Sequence, residues 1–140
     1  MTQIIKTSTP GKEREQLSKA IVITIRTFMR QGEPDHKTKD MVAFVILALK
    51  QISDGIDQSV AAWEKRGYWV KADKYRLEWQ WAGDMSQKLQ RAFSDEDWGK
   101  IAESLLETMT HFSNIKVSDR HRMGQPWMNA YKNYKNLLNK

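Results

Sequence analysis

The chain has no cysteine. That excludes disulfides, thiolate nucleophiles and cysteine-based zinc sites together, and it fits a reducing compartment. Proline and glycine are sparse, three and seven in 140 residues, so long helices meet few internal breakers. Long hydrophobic runs are missing as well. The longest, Met41–Leu49, is nine residues, far short of the ~20 that span a bilayer, and no membrane partner is expected. The opening MTQIIKTSTPGKEREQL has no hydrophobic signal core. The expected location is therefore the cytoplasm. One domain is expected over residues 1–140, with residues 1–8 flexible at its start.

Signatures of catalysis and metal binding are absent too. His36 near Asp40, and His121 between Arg120 and Arg122, are lone histidines in polar segments and read as surface residues. The stretch from Gly11 to Gln16 lacks the second glycine and the Lys-Ser/Thr of a phosphate loop. Glu103, Glu107 and His111 fall at i, i+4 and i+8. They line up, but not as the Glu-x-x-His of a di-metal bundle. Their line lies opposite the apolar stripe of its own helix, so it reads as a solvated face. No metal, cofactor or catalytic residue is expected. Thr24, Ser59 and Ser86 on apolar stripes are the only hints of an unrecognised enzyme site. Small polar residues there more commonly permit close packing.

What the chain does contain is helical periodicity. Thr9 can cap a first helix, Pro10 suits its first position, and Leu17, Ala20, Ile21, Thr24, Ile25 and Phe28 share a stripe. The β-branched run over residues 20–28 would also suit a buried strand. The flanking charged residues and the lack of a second strand favour helix, ended by Gly32 and Pro34. A second helix is expected from about Asp35 to Arg66, with Gly67 as its stop. Its first half is apolar on every side, which places it at the centre of a bundle. A third should run from about Tyr68 to Ala92, with Ala72, Tyr75, Trp79, Ala82, Ser86, Leu89 and Phe93 as an unbroken heptad series. A fourth should start with Ser94 as cap and Asp95, Glu96 and Asp97 in its first turn. It buries Trp98, Ile101, Ala102, Leu105, Met109 and Phe112. Residues 113–125 read as loop. A last helix begins near Pro126, with Trp127, Ala130, Tyr131, Tyr134, Leu137 and Leu138 on one side. The fold class is all-α, an antiparallel bundle of about five helices around a long central helix hairpin.

Two features point to association. The third helix carries a second apolar stripe, Val70, Leu77, Trp81 and Met85, roughly opposite the first. One helix with two apolar faces must cover both, with another helix or with a second copy of the protein. The other feature is the segment from Trp63 to Trp81, which holds four of the six tryptophans together with Tyr68 and Tyr75. Trp63, Tyr75 and Trp79 fall on the main stripes and read as core. Tyr68, Trp69 and Trp81 are candidates for a partner surface, unless the C-terminal helix closes over them with Trp127, Tyr131 and Tyr134.

The net charge is +6, and residues 113–140 carry six bases against the single acid Asp119. Lys65, Arg66, Lys71 and Lys74 at the hairpin tip, with Arg120, Arg122 and Lys135, would supply phosphate contacts if the two clusters shared a face. No base-reading motif is present. The leading expectation is a non-catalytic bundle that pairs with itself or joins a larger assembly. It would do so through Val70, Leu77, Trp81, Met85, Tyr68 and Trp69. The alternative is an accessory subunit that binds the backbone of RNA or single-stranded DNA.

Overall fold

The computed structural model describes residues 9–31 and 33–139. The segment expected to be flexible, residues 1–8, and the helix stop Gly32 lie outside the described residues. Five helices form: α1 (Pro10–Phe28), α2 (His36–Lys65), α3 (Trp69–Ser94), α4 (Trp98–His111) and α5 (Ala130–Leu138). No strand occurs among the described residues, and the all-α bundle is the fold.

Local chemistry explains most of the boundaries. Thr9 caps α1 by accepting a hydrogen bond from the Lys12 amide at 3.2 Å, with Pro10 in the first turn. The β-branched run is helical. Thr24 and Thr27 donate their hydroxyls to the carbonyls of Ala20 and Ile23, four residues back, at 2.7 and 2.9 Å. Residues Ala20 to Ile25 are buried all round, and such packing outweighs a weak intrinsic preference for strand. Asp35 and Thr38 close a capping box at the start of α2. Gly67, with a φ of 83°, makes the tight turn into α3.

Two boundaries differ from expectation. Ser94 does not cap α4; it is the last residue of α3. Asp97 is the cap, accepting from the Lys100 amide at 3.1 Å. Burial of Ala92 and Phe93 carries α3 onward, and the break falls at Glu96, whose φ is 53°. Likewise α5 begins at Ala130, four residues after Pro126, because Asn129 is left-handed at φ 63°.

Residues Met41 to Leu49 are all buried, and α2 packs against α1, α3 and α5. It is the central helix. α3 runs antiparallel to it, as three contacts along its length record. The Ser86 hydroxyl donates to the Ile46 carbonyl at 2.9 Å, a Cβ on Gly83 would come within 2.8 Å of Ser53 Oγ, and Trp63 meets Tyr75 with ring centroids 4.9 Å apart. α4 then returns along the lower half of α3. Phe28 of α1 stacks on Trp98 at its start, and His111 meets Trp81 at its end. The connection after α4 is tied to the last turn of α1, where Arg26 donates to the Val117 carbonyl at 3.0 Å and pairs with Asp119 at 3.1 Å. Finally α5 docks on the first half of α2, its Tyr131 amide donating to Asp40 at 2.9 Å.

Candidate interaction surface

The far end of the central hairpin stands clear of the other helices. α1 reaches it only at its base, in a narrow cleft of about 10 Å³ lined by Pro10, Arg14, Gln51, Ser59 and Tyr75. A cleft of that size holds one water at most. Beyond it, among the described residues, the end of α2 and the start of α3 have only each other.

Trp63, Tyr75 and Trp79, expected in the core, are half-buried around this base. Cations cover them. Arg14 lies 5.4 Å from the ring centroids of both Tyr75 and Trp79 and donates to the Tyr75 hydroxyl. The Lys71 ammonium sits 4.5 Å from the Trp63 ring. Burial raises the Tyr75 hydroxyl above its ordinary pKa, against the pull of Arg14. Arg14 was not singled out by sequence, since nothing in its local pattern shows that α1 ends its reach there.

The six residues of the expected interface divide. Val70 is 84% exposed, Leu77 73%, Trp69 59% and Tyr68 56%. Trp81 is half-buried, stacked flat on His111 at 3.9 Å with an interplanar angle of 4° and edge-on to Phe112 at 5.3 Å. Met85 is buried at 5%. The end of α4 therefore covers part of the second stripe and leaves the rest open. The C-terminal helix does not close over the tip. Tyr131 and Tyr134 pack on Phe93, each 5.6 Å between centroids, at the opposite end of α3.

The charged candidates also divide. Lys65, Arg66, Lys71 and Lys74 are exposed at the tip, and among the described residues none has an ion pair. Of the three acids between Trp63 and Trp81, Glu64 and Asp73 are taken by Arg76, at 2.9 and 2.6 Å, and Glu78 is exposed. Those two contacts raise the Arg76 pKa further. The second cluster lies elsewhere. Arg120 and Arg122 follow Asp119, which is held by the last turn of α1. Lys135 and Lys39 both approach the Tyr131 ring, at 4.7 and 5.7 Å. Lys39 and Lys65 are 26 residues apart on one helix, about 39 Å at the α-helical rise. The two basic clusters occupy opposite ends of the bundle and do not form one surface.

The remaining candidates are exposed or bonded locally. Glu103, Glu107 and His111 are exposed; Glu107 pairs with Lys88 at 3.0 Å. No group of three metal-type ligands occurs among the described residues. His36 is exposed, and His121 Nδ1 accepts from the Met123 amide at 3.2 Å. The Thr24 and Ser86 hydroxyls donate to backbone carbonyls. No described helix is long and apolar enough to cross a membrane. Comparison with protein-family models, curated proteins and solved structures finds no match to this chain.

Proposed function

We propose that this protein is a non-catalytic interaction module of the cytoplasm that works by association through the projecting α2–α3 arm. One observation carries the reading. Tyr68, Trp69, Val70 and Leu77 fall within ten residues on the arm at 56–84% exposure, whereas the other exposed large apolar side chains, Met29, Leu106, Met128 and Leu138, are scattered along the chain. Contiguous apolar surface of this kind on a small soluble protein marks a contact surface. Isolated exposed positions such as Leu106 and Met128 need no such account. The partner is a second copy or a larger assembly in which this chain is a small accessory subunit. Sedimentation velocity across a concentration series tests it, with the V70S/L77S double variant as control. Association that the variant abolishes supports the arm as the contact. Association that the variant leaves unchanged places the contact elsewhere.

A second reading rests on a different feature of the same arm. Exposed Tyr68 and Trp69 beside four cations supply stacking and phosphate contacts for a single strand. Because the C-terminal cluster lies at the other end, at most four contacts are available. Binding to oligouridine should then be weak, with a salt slope no steeper than about −3, at roughly −0.7 per contact. Loss of retention in K65E/R66E/K71E/K74E at low salt supports this reading. Absence of any retention by the wild type removes it.

A further inference from the structure

The lower half of α3 shows what covers the upper half. Lys74, Trp81 and Lys88 are spaced seven residues apart, so they hold the same position relative to a neighbour that follows the heptad. Val70, Leu77 and Asp84 form the adjacent line, four residues back in each case. On the lower half, α4 lies against the first of these lines with two kinds of contact, while Asp84 on the second stays exposed. His111 and Phe112 cover Trp81, and Glu107 pairs with Lys88 at 3.0 Å. α4 stops at His111, opposite Trp81. Above that point Lys74 repeats the position of Lys88, and among the described residues it has no ion pair. Val70 and Leu77 flank it, 84% and 73% exposed, with no apolar cover among the described residues.

The vacant stretch from Val70 to Leu77 is about 10 Å long, a seat for two to three helical turns laid end-on to α4. Its charge selects the occupant. Lys65, Arg66, Lys71 and Lys74 are exposed on the same arm, and of its three acids Glu64 and Asp73 are spent on Arg76, which leaves Glu78 against four cations. A second copy docked arm to arm would set these cations against themselves, and like charges facing across an interface oppose docking. A nucleic-acid strand would use Tyr68 and Trp69 but leave Val70 and Leu77 unmatched. Resting on the arm as the contact surface, we propose that this seat takes an acidic amphipathic helix of a partner protein. Its apolar face lies on Val70 and Leu77, and a carboxylate meets Lys74 as Glu107 meets Lys88.

The test is an amide NMR titration of the full chain. The probe is a cross-linked helical peptide of about 18 residues, leucine on one face and glutamate on the other, since short free helices are marginal in water. Comparison probes are the leucine/lysine counterpart, a scrambled leucine/glutamate peptide and oligouridine. The expected result is saturable shifts confined to residues 65–81 with the acidic helix alone. L77S should weaken that binding about tenfold, the loss of one anchoring contact. K74E should weaken the acidic helix and improve the basic one, a swap that loss of folding could not produce. Both positions are exposed, so an unchanged spectrum elsewhere shows that the variants remain folded.

Shifts with the scrambled peptide equal to those with the helix overturn the proposal, as do shifts centred away from the arm. Concentration-dependent shifts at Val70 and Leu77 without any peptide identify a second copy as the occupant. They overturn this proposal while supporting association through the arm. Shifts at Tyr68 and Trp69 with oligouridine, and none with the acidic helix, assign the arm to nucleic acid. No shift on the arm with any probe at any protein concentration overturns both this proposal and the arm's role in association.

Discussion

Two halves of one side of α3 differ in what lies across from them. At Trp81 and Lys88 the surface meets α4, with stacked rings and a paired lysine, and Met85 beside them is buried. At Val70, Lys74 and Leu77 the same side is open, with Lys74 in the heptad position of Trp81 and Lys88. Apolar side chains and a lysine occur in both halves. What changes is that α4 ends. The lesson is that an apolar helical stripe records a need for cover without saying whether the cover belongs to the same chain. Here one stripe has both answers, and the open half sits on an arm two helices wide.

The sharpest way to probe this contrast is to compare damage in the packed base with damage on the arm. Phe44→Ala removes a ring at 0% exposure from the central helix and should lower stability by about 3–5 kcal/mol, read by urea denaturation. Trp81→Ala deletes the half-buried cover between α3 and α4. Its cost should be smaller, about 2 kcal/mol, since part of the ring is already in water. If Trp81→Ala costs as little as an arm variant, α4 does not hold that half of the stripe.

An acid limb offers a subtler mark of the base. The Asp35 carboxylate accepts from the Thr38 and Lys37 amides at 3.0 and 2.9 Å, and chiefly the Thr38 bond holds its pKa below the usual 3.8. A lowered carboxylate pKa contributes stability that is complete above the unfolded value and is lost as pH falls through the folded one. Asp35→Asn keeps an acceptor at the cap but removes the titration. The fall in Tm on acidification should therefore be shallower in the variant, which starts slightly lower near neutrality because it lacks the charged cap. Identical acid limbs would mean that the capping box contributes nothing to pH dependence.

The smallest effect on stability is expected on the arm itself. Val70→Ser and Leu77→Ser should each change it by no more than about 0.5 kcal/mol, as exposed substitutions do.

Much of this architecture was readable in the residues. The starts of α1, α2 and α3 follow from Thr9 and Pro10, from Asp35, and from Gly67, each of which acts through a local hydrogen bond or backbone conformation. The central place of Met41–Leu49 follows from its lack of a polar side. The α3–α4 break was harder. Ser94, Asp95 and Asp97 are all good caps, and the choice among them depends on Phe93 being buried against Trp98, Tyr131 and Tyr134. The position of α5 was not readable at all. Its stripe says that Tyr134 is buried but not against which helix, and the long connection from Phe112 lets it reach either end of the hairpin. For the same reason Trp81 and Leu77 looked equivalent. Only the length and register of α4 separate them, and those are facts about a different segment. The separation of the two basic clusters is likewise a property of topology.

The central claim is that Val70 and Leu77 serve a contact and not the fold. Thermal unfolding of wild type and V70S/L77S, each with and without the acidic leucine/glutamate helix, tests it in one experiment. Without peptide the two should melt within about 4 °C of each other, given the small effect of exposed substitutions. With peptide the wild-type Tm should rise, because a ligand bound to the folded state stabilises it, and the variant's should not. A variant that melts well below the wild type on its own, or a pair that responds equally to the peptide, would contradict the account.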